Sequence, residues 1–208
     1  MDFMDAVKNR RSVRSFKETT IEEHIIEDML ASARLAPSAG NGQNHLFGVV
    51  KESKLKLALA KAAGGQVWIA DAPVVIACCA RLETDLKDLP ENDFGLIVNQ
   101  TRFGKPFLEY LNAYEDRSMV RALFANATPL IPAEHMFLTA ASHGLSACFV
   151  GHVDIMEASR ILRLPEDIVC LFLLPVGYPN EEPTAKRLKT IEEISFLNVF
   201  NGSGETTC

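Results

Sequence analysis

The sequence lacks a long apolar run and an excess of positive charge. Its longest apolar stretch, Ile168 to Val176, is far too short for a membrane-spanning helix, and the N-terminal MDFMDAVKNRR lacks the apolar stretch of a signal peptide. Asp and Glu (27) outnumber Lys and Arg (21), and the net charge of −6 argues against a nucleic-acid-binding surface. We therefore expect a soluble, cytoplasmic protein with no nucleic-acid or membrane partner, in which a local basic cluster needs a local anion.

Cysteine and histidine are few, and neither shows the spacing of a metal site. The five cysteines form no CxxC pair and lie mostly inside apolar runs, so we expect reduced core thiols rather than disulfides or zinc ligands. None of the five histidines occurs in an HExxH or comparable pattern. The sequence therefore predicts no metal.

Proline and glycine are also sparse, with 10 and 12 among 208 residues, while 48% of the chain is hydrophobic. This is the composition of a folded globular protein. A chain of this length buries roughly 70% of its unfolded surface. We expect a single domain over residues 1–208 that ends in a disordered tail at 201–208.

Hydrophobic periodicity predicts alternating helices and strands in the first half of the chain. Thr20 and Glu23 have the spacing of a capping box, which predicts a helix that Pro37 ends. Residues 73–80 are apolar on both faces, as expected of a central strand. The other elements predicted here are a helix at 2–9, a strand at 46–50 and a helix at 54–63.

Residues 84–127 are the least regular part of the sequence. One helix is predicted at 94–103, and the aromatic-bearing stretch KPFLEYLNAY after it is predicted to be irregular. We interpret the segment, called the lid below, as a variable insertion that folds over a site.

After the lid the pattern is clear again. Pro132 and Gly144 mark the two ends of a helix, and Asp154 with Glu157 repeats the capping-box spacing for a helix to about Leu164. The remaining predicted strands are 146–150, 168–174 and 194–200. The last of these, ISFLNVF, has no place in the chain's own core, so we expect it to dock on a second subunit.

The segment RRSVRSF, residues 10–16, concentrates three arginines in an acidic protein. If it is extended, alternation puts Arg10, Ser12 and Arg14 on one side and Arg11 and Val13 on the other. Two guanidinium groups beside a hydroxyl suit a phosphate. The alternative is a solvated basic turn after a helix, where arginine suits the negative end of the helix dipole. On this stretch alone the second interpretation is favoured.

Three further segments carry polar groups where an element ends. APSAGNGQNH, residues 36–45, offers backbone N–H groups and neutral side chains that suit the edge of a heterocycle, and it does not match the GxGxxG dinucleotide pattern. VGHVD, residues 150–154, leads from a strand end into a helix N-terminus. PVGYPNEEPTAKRLK, residues 175–189, places a second basic group after a Pro-rich turn. Each segment alone has a purely structural explanation, but their joint occurrence in this order does not.

In order and approximate spacing, RRSVRSF, APSAGNGQNHLFGVV, GLSACFVGHVD and LPVGYPNEEPTAKRLK resemble the motifs of the nitroreductase family of FMN-dependent oxidoreductases. The resemblance covers residues 1 to about 80 and 128 to 193. It implies an α+β fold, a mixed sandwich with a mostly antiparallel central sheet flanked by helices, and a homodimer that exchanges its C-terminal segments. It also implies ping-pong hydride transfer from NADH or NADPH, through FMN at the dimer interface, to a nitroaromatic, quinone, enone or flavin.

The resemblance also implies which residues bind FMN. In the family, the Arg-rich segment and a C-terminal basic pair hold the phosphate and ribityl chain, a loop from the other subunit contributes, and a strand-end glycine lies near N5 of the flavin ring. The corresponding positions are Arg10, Arg11, Ser12 and Arg14, with Lys186 and Arg187; Pro37, Ser38, Ala39, Asn41 and Gln43; and Val150, Gly151 and His152.

His152 stands where the family often has a second glycine. At a strand end beside the implied N5 contact, its imidazole suits proton donation to a bound oxidant near neutral pH, which makes it the candidate catalytic residue. The alternative is that the side chain fills space that a glycine would leave empty.

Other departures from the family pattern leave the substrate class open. His45 stands near the position of a common aromatic residue, and Glu134 stands where glutamine is common. Lys186 and Arg187 are adjacent rather than spaced by one residue, so either Arg187 or Lys189 fills the second phosphate position. Two other functions also stay open: a flavin enzyme that dehalogenates a substrate or fragments flavin, and a non-redox flavin-binding module.

Overall fold

The computed structural model describes residues 2–183 and 187–200. Its four strands form one antiparallel sheet in the order β1–β2–β4–β3, with bounds β1 (His45–Val50), β2 (Val74–Arg81), β3 (Ser146–Ala147) and β4 (Ile168–Gly177). The two central strands, β2 and β4, are those predicted from uninterrupted apolar runs. The predicted α+β fold with a mostly antiparallel sheet is confirmed.

Ten α-helices lie within the described residues. Before the lid they are α1 (Phe3–Asn9), α2 (Glu23–Arg34), α3 (Ser53–Ala62) and α4 (Trp68–Asp71); in the lid α5 (Phe94–Phe103), α6 (Lys105–Asn112) and α7 (Arg117–Ala125); and after it α8 (Leu130–Ser142), α9 (Ile155–Ile161) and α10 (Ile191–Ile194). None of these helices is both long enough and apolar enough to span a membrane.

Alternation along β2 divides the core into two layers. Val75 packs in one cluster with Leu59 of α3 and Ile69 of α4, whereas Ile76 packs in another with Phe137 of α8. Because successive side chains of a strand point to opposite faces, both faces of β2 are buried. Burial of both faces explains why the sequence of β2 contains an unbroken run of apolar residues.

The predicted capping box at Thr20 and Glu23 is wrong. Glu22 is the N-cap of α2, the helix begins at Glu23, and no side-chain hydrogen bond caps it. The preceding residues are held by tertiary contacts instead: the Lys17 N–H donates to the Tyr178 carbonyl at 2.9 Å. These tertiary contacts position the segment before α2, and they override the local capping pattern of Thr20 and Glu23.

Two elements after the lid are shorter than predicted. β3 comprises only residues 146–147, and Val150 continues the pairing as an isolated bridge to Leu173. The Asp154 carboxylate caps α9 as predicted, by accepting hydrogen bonds from two backbone N–H groups, but the helix ends at Ile161, before the predicted end.

The irregular structure predicted for KPFLEYLNAY is wrong, because most of this stretch forms α6. Pro106 lies in the first turn, where its missing N–H costs nothing. Asp116 then caps α7 by accepting a hydrogen bond from the Met119 N–H. The lid is therefore three consecutive helices.

An ion pair within the lid joins its first residues, which follow β2 closely, to its later helices. Arg117 of α7 binds the Asp85 carboxylate through two hydrogen bonds of 2.7 and 2.6 Å, and it also donates to the Leu111 carbonyl at the end of α6. The Arg117 hydrogen bond is the main cause that lowers the pKa of Asp85. Because the pair joins both later lid helices to the first residues of the lid, it holds these parts of the lid together.

The predicted strand at 194–200 is also wrong. This segment follows α10, which Thr190 and Glu193 cap reciprocally, and it forms no strand. Its apolar side chains and those just before it are 60–79% exposed: Leu188, Ile191, Ile194, Phe196, Leu197, Val199 and Phe200. We call residues 188–200 the C-terminal arm. The predicted disordered tail at 201–208 lies outside the described residues.

Candidate functional site

The segment RRSVRSF is extended and is attached to the sheet. The Val13 N–H donates to the Ala147 carbonyl at 3.1 Å, and Phe16 forms a bridge with Pro179 beyond β4. Val13 is fully buried. Because Val13 points into the core, Ser12 and Arg14 project to the opposite side, as the alternation predicted.

Arg10, Ser12 and Arg14 all influence the pKa of one buried thiol, that of Cys148. Ser12 forms an isolated bridge with Ala147, the residue before Cys148. Burial raises the pKa of Cys148, while the Arg14 charge, the Ser12 hydrogen bond and the Arg10 charge offset part of that rise. We call these three residues the arginine cradle.

Aromatic rings position the two guanidinium groups of the cradle. Cζ of Arg10 lies 4.9 Å from the ring centroid of Phe137, and Cζ of Arg14 lies 5.9 Å from that of Trp68. Contact with a ring face restricts a guanidinium group without occupying its N–H donors. The cradle also has one acidic neighbour, since Oε1 of Glu134 lies 3.9 Å from Nε of Arg10.

Arg11 makes different contacts from Arg10 and Arg14. Its Nη1 donates to the Lys8 carbonyl at 2.6 Å and to the Arg10 carbonyl at 3.1 Å. These bonds satisfy carbonyls at the end of α1, the role that the alternative interpretation gave to arginine. The structure therefore separates Arg11 from Arg10 and Arg14.

The turn after β4 fixes the backbone of the cradle. The Arg14 N–H donates to Oε1 of Glu181 at 2.7 Å, and the Asn180 N–H donates to the Ser15 carbonyl at 2.9 Å. Farther along, Arg187 is exposed and forms no hydrogen bond or ion pair within residues 2–183 and 187–200. Lys186 lies outside the described residues.

The loop at 37–43 holds an unusual backbone by its own side chains. Ser38 Oγ accepts from the Gln43 N–H at 3.0 Å, and the Gln43 amide donates to Oδ1 of Asn41 at 3.3 Å. Asn41 and Gln43 have φ angles of 55° and 50°, a left-handed conformation that costs roughly 1–3 kcal/mol per residue and is common at binding sites. Pro37 and Ala39 are exposed, and no described hydrogen bond joins the loop to the cradle.

Gly151 presents open backbone at a strand end. Val150 before it is buried and paired with Leu173, but Gly151 itself is exposed. A Cβ added at Gly151 would meet only the Phe172 ring, at 3.6 Å, which is ordinary van der Waals contact. The packing of the chain therefore does not require glycine here.

The His152 ring packs on Gly64 at the end of α3. A Cβ on Gly64 would approach Cε1 of the ring to 2.6 Å. The ring lies in a groove of about 610 Å³ between α3 and α9, which Lys61 and Arg160 also line. His152 is exposed in this groove, and both its role as proton donor and its space-filling role stay predictions.

His45 takes the place of an aromatic side chain beside Phe47, with ring centroids 5.8 Å apart. Its Nδ1 is buried without a hydrogen-bond partner, and burial lowers the pKa of the ring. A neutral imidazole is therefore favoured at this position. Elsewhere, the described residues contain no group of three or more His, Cys, Asp or Glu side chains that could hold a metal ion.

Known proteins share this sequence pattern and fold. A protein named NADH dehydrogenase from Thermus thermophilus is 30% identical over 183 residues, which cover 88% of this chain and 89% of that protein. An NAD(P)H FMN reductase from Bacillus subtilis is 25% identical over 213 residues, covering 99% and 77%.

Structural comparison gives the same fold. The structure of B. megaterium NfrA2 matches with a TM-score of 0.74 at 22% identity, covering 98% of this chain and 77% of that one. The model of the nitroreductase family matches residues 7–178, which include the arginine cradle, the loop, the lid and the Gly151 strand end. The chain therefore belongs to the nitroreductase family.

Proposed function

We propose that the protein is an oxidoreductase that uses NADH or NADPH to reduce a small organic acceptor through bound FMN. The observation that carries the proposal is the arginine cradle, whose three residues lie on a segment attached to the sheet and whose two guanidinium groups rest against aromatic rings. Two guanidinium groups and a hydroxyl match a phosphate monoester. The similar Bacillus subtilis protein is named as an FMN reductase, which agrees with this ligand.

The proposal gives FMN a contact at each of its ends. The cradle suits the phosphate, while the open backbone at Gly151 leaves room for a flat ring against the strand end. Val150 and His152 flank that contact, and Arg187, with Lys186, is proposed to complete the phosphate site. When bound, FMN supplies hydride acceptance from the nicotinamide and hydride donation to the acceptor.

The residues of the protein bind and orient the flavin and its substrates. The aromatic supports of Arg10 and Arg14 hold two positive charges in place before the phosphate arrives, so little ordering is needed on binding. NAD(P)H and the acceptor occupy the same pocket in turn, in a ping-pong cycle. We propose that the lid, residues 84–127, folds over that pocket and that Phe94 and Tyr110, which are 79% and 70% exposed, contact the acceptor.

We propose a homodimer as the functional form. The loop residues Pro37, Ser38, Ala39, Asn41 and Gln43 then complete the flavin site of the other subunit, which agrees with their lack of hydrogen bonds to the cradle of their own chain. The C-terminal arm exposes a run of apolar side chains of the kind that marks a protein interface. The proposal treats residues 1–208 as one flavin-binding domain that acts in the cytoplasm.

The test uses the full-length protein purified without added flavin. We expect a yellow protein whose visible flavin bands are lost on anaerobic addition of NADH or NADPH and return on addition of a quinone or nitroaromatic. Heat should release the flavin as FMN. Tight FMN binding with no reduction by either nucleotide would favour the specialised or non-redox alternatives, and failure to bind FMN would overturn the proposal.

A further inference from the structure

Glu134 places a negative charge at the edge of the arginine cradle. Its Oε1 lies 3.9 Å from Nε of Arg10, and the side chains are 45% and 24% exposed, respectively. A carboxylate beside a cationic group lowers the attraction of that group for a second anion. The pair therefore opposes the binding of a phosphate in the cradle.

The position of Arg10 does not depend on this charge. Glu134 and Phe137 are three residues apart on α8 and so share a helix face. Phe137 is fully buried in the core, and its ring centroid lies 4.9 Å from Cζ of Arg10. Because the core fixes the ring, the guanidinium group keeps this support when Glu134 is neutral.

We infer that Glu134 is a specificity-determining residue that competes with the flavin phosphate for Arg10 and so keeps FMN exchangeable. The inference rests on the proposed function, because it needs the phosphate to bind in the cradle. A phosphate monoester carries about −1.5 to −2 charges at neutral pH. On binding, it must share Arg10 with the carboxylate, and this lowers the affinity for FMN but not for riboflavin, which has no phosphate.

The test is a titration of FMN and of riboflavin into flavin-free, full-length protein. The variant Glu134→Gln keeps the side-chain size and an acceptor oxygen while it removes the charge. Glu27→Gln is the matched control, because Glu27 is likewise a glutamate inside a long helix, α2, and is exposed there. Glu134→Gln should bind FMN about two- to fivefold more tightly and riboflavin unchanged, whereas Glu27→Gln should change neither.

Two further measurements of FMN affinity distinguish an effect of the Glu134 charge from a structural effect of the substitution. Added NaCl should shrink the ratio between Glu134→Gln and wild type, because salt screens half-exposed charges. In an Arg10→Gln background, the gain from Glu134→Gln should fall below twofold, because the competition for Arg10 is gone. A gain in FMN affinity that neither added NaCl nor the Arg10→Gln substitution reduces would overturn the inference.

The remaining outcomes distinguish this inference from the proposed function. Unchanged or weaker FMN binding by Glu134→Gln, with wild type still preferring FMN to riboflavin, overturns the inference and leaves the proposed function standing. An equal gain for riboflavin also overturns it, since the effect then does not act through the phosphate. Wild-type protein that binds no FMN overturns both.

Discussion

The backbone N–H of Arg14 donates to Oε1 of Glu181 at 2.7 Å, across 167 residues of sequence. The bond joins the arginine cradle to the turn after β4. Because the donor is the backbone, Glu181 does not occupy the guanidinium group, whose N–H donors stay available to a ligand. One acidic residue thus orients the cradle, while another, Glu134, opposes its charge.

Removing the Glu181 contact should loosen the cradle. Glu181→Ala deletes an exposed hydrogen bond to a charged acceptor, a loss of roughly 0.5–1.5 kcal/mol, and FMN affinity should fall about two- to tenfold. Calorimetric titration measures this change. Glu182→Ala is the matched control, because Glu182 is exposed and has no bond to the cradle. Equal losses from both variants would show that the contact does not matter.

Gly151 should tolerate a side chain in the empty protein but not in the complex. A Cβ there would meet only the Phe172 ring, at 3.6 Å, so Gly151→Val should change the free energy of unfolding by less than about 0.5 kcal/mol. FMN and riboflavin binding should both weaken, because the added side chain occupies the proposed ring position. Denaturation curves and flavin titrations measure the two effects.

Gly177 provides the contrasting control. A Cβ on Gly177 would lie 2.6 Å from Cδ of Pro73 and 2.9 Å from Cδ1 of Phe16. Gly177→Ala should therefore destabilise the protein by roughly 1–3 kcal/mol through overpacking. If Gly151→Val destabilised the flavin-free protein as much, its effect on flavin binding would not report on the ring position.

The Asp85–Arg117 pair makes the free energy of unfolding depend on pH in the acidic range. Arg117 holds the pKa of Asp85 below its ordinary value, so the contribution of the pair is complete above the unfolded-state pKa of about 4 and is lost as pH falls through the lower folded-state pKa. Asp85→Asn should lower the free energy of unfolding by about 1.5–3 kcal/mol at neutral pH. The difference in the free energy of unfolding between Asp85→Asn and wild type should become smaller below about pH 4.

Urea denaturation at several pH values measures that difference. Glu91→Gln is the control, since Glu91 is an exposed carboxylate in the same segment. A difference between Asp85→Asn and wild type that stays constant down to about pH 2 would contradict the assignment.

The C-terminal arm should be needed for the dimer. A chain ending at Glu193 lacks the apolar residues 194–200, which are exposed in the single chain. We expect weaker dimerisation and a lower Tm, because this apolar surface is proposed to be buried on the partner. Sedimentation at several concentrations, with a chain ending at Phe200 as control, measures the effect. Identical dissociation of the two chains would show that the arm is not an interface.

Local patterns predicted the elements whose structure has a local cause. The apolar runs identified β2 and β4, because strands buried on both faces need no polar side. The helix predicted at 94–103 matches α5, which Asp93 caps. In the lid, Pro106 and Asp116 are local helix-start signals for α6 and α7, which the sequence-based prediction did not include.

Long-range contacts account for what the sequence did not predict. Alternation put Ser12 and Arg14 opposite Val13, and the burial of Val13 agrees with this, whereas Arg11, which it placed with Val13, instead bonds the end of α1. The roles of Trp68, Glu181 and Cys148 had no local signal, since each contacts a residue far away in the sequence. For the same reason, the approach to α2 is set by a bond to Tyr178 and not by the local capping pattern.

The central claim is that Arg10 and Arg14 bind a flavin phosphate, and the comparison of FMN with riboflavin tests it most directly. Arg10→Gln and Arg14→Gln should each weaken FMN binding about tenfold to a hundredfold, since a charge-assisted hydrogen bond contributes roughly 1.5–3 kcal/mol. Arg11→Gln should have a smaller effect, because Arg11 is bound to the end of α1. Riboflavin should bind wild type and all three variants about equally. Equal weakening of riboflavin and FMN by Arg10→Gln and Arg14→Gln would contradict the phosphate assignment and show that these arginines only support the fold.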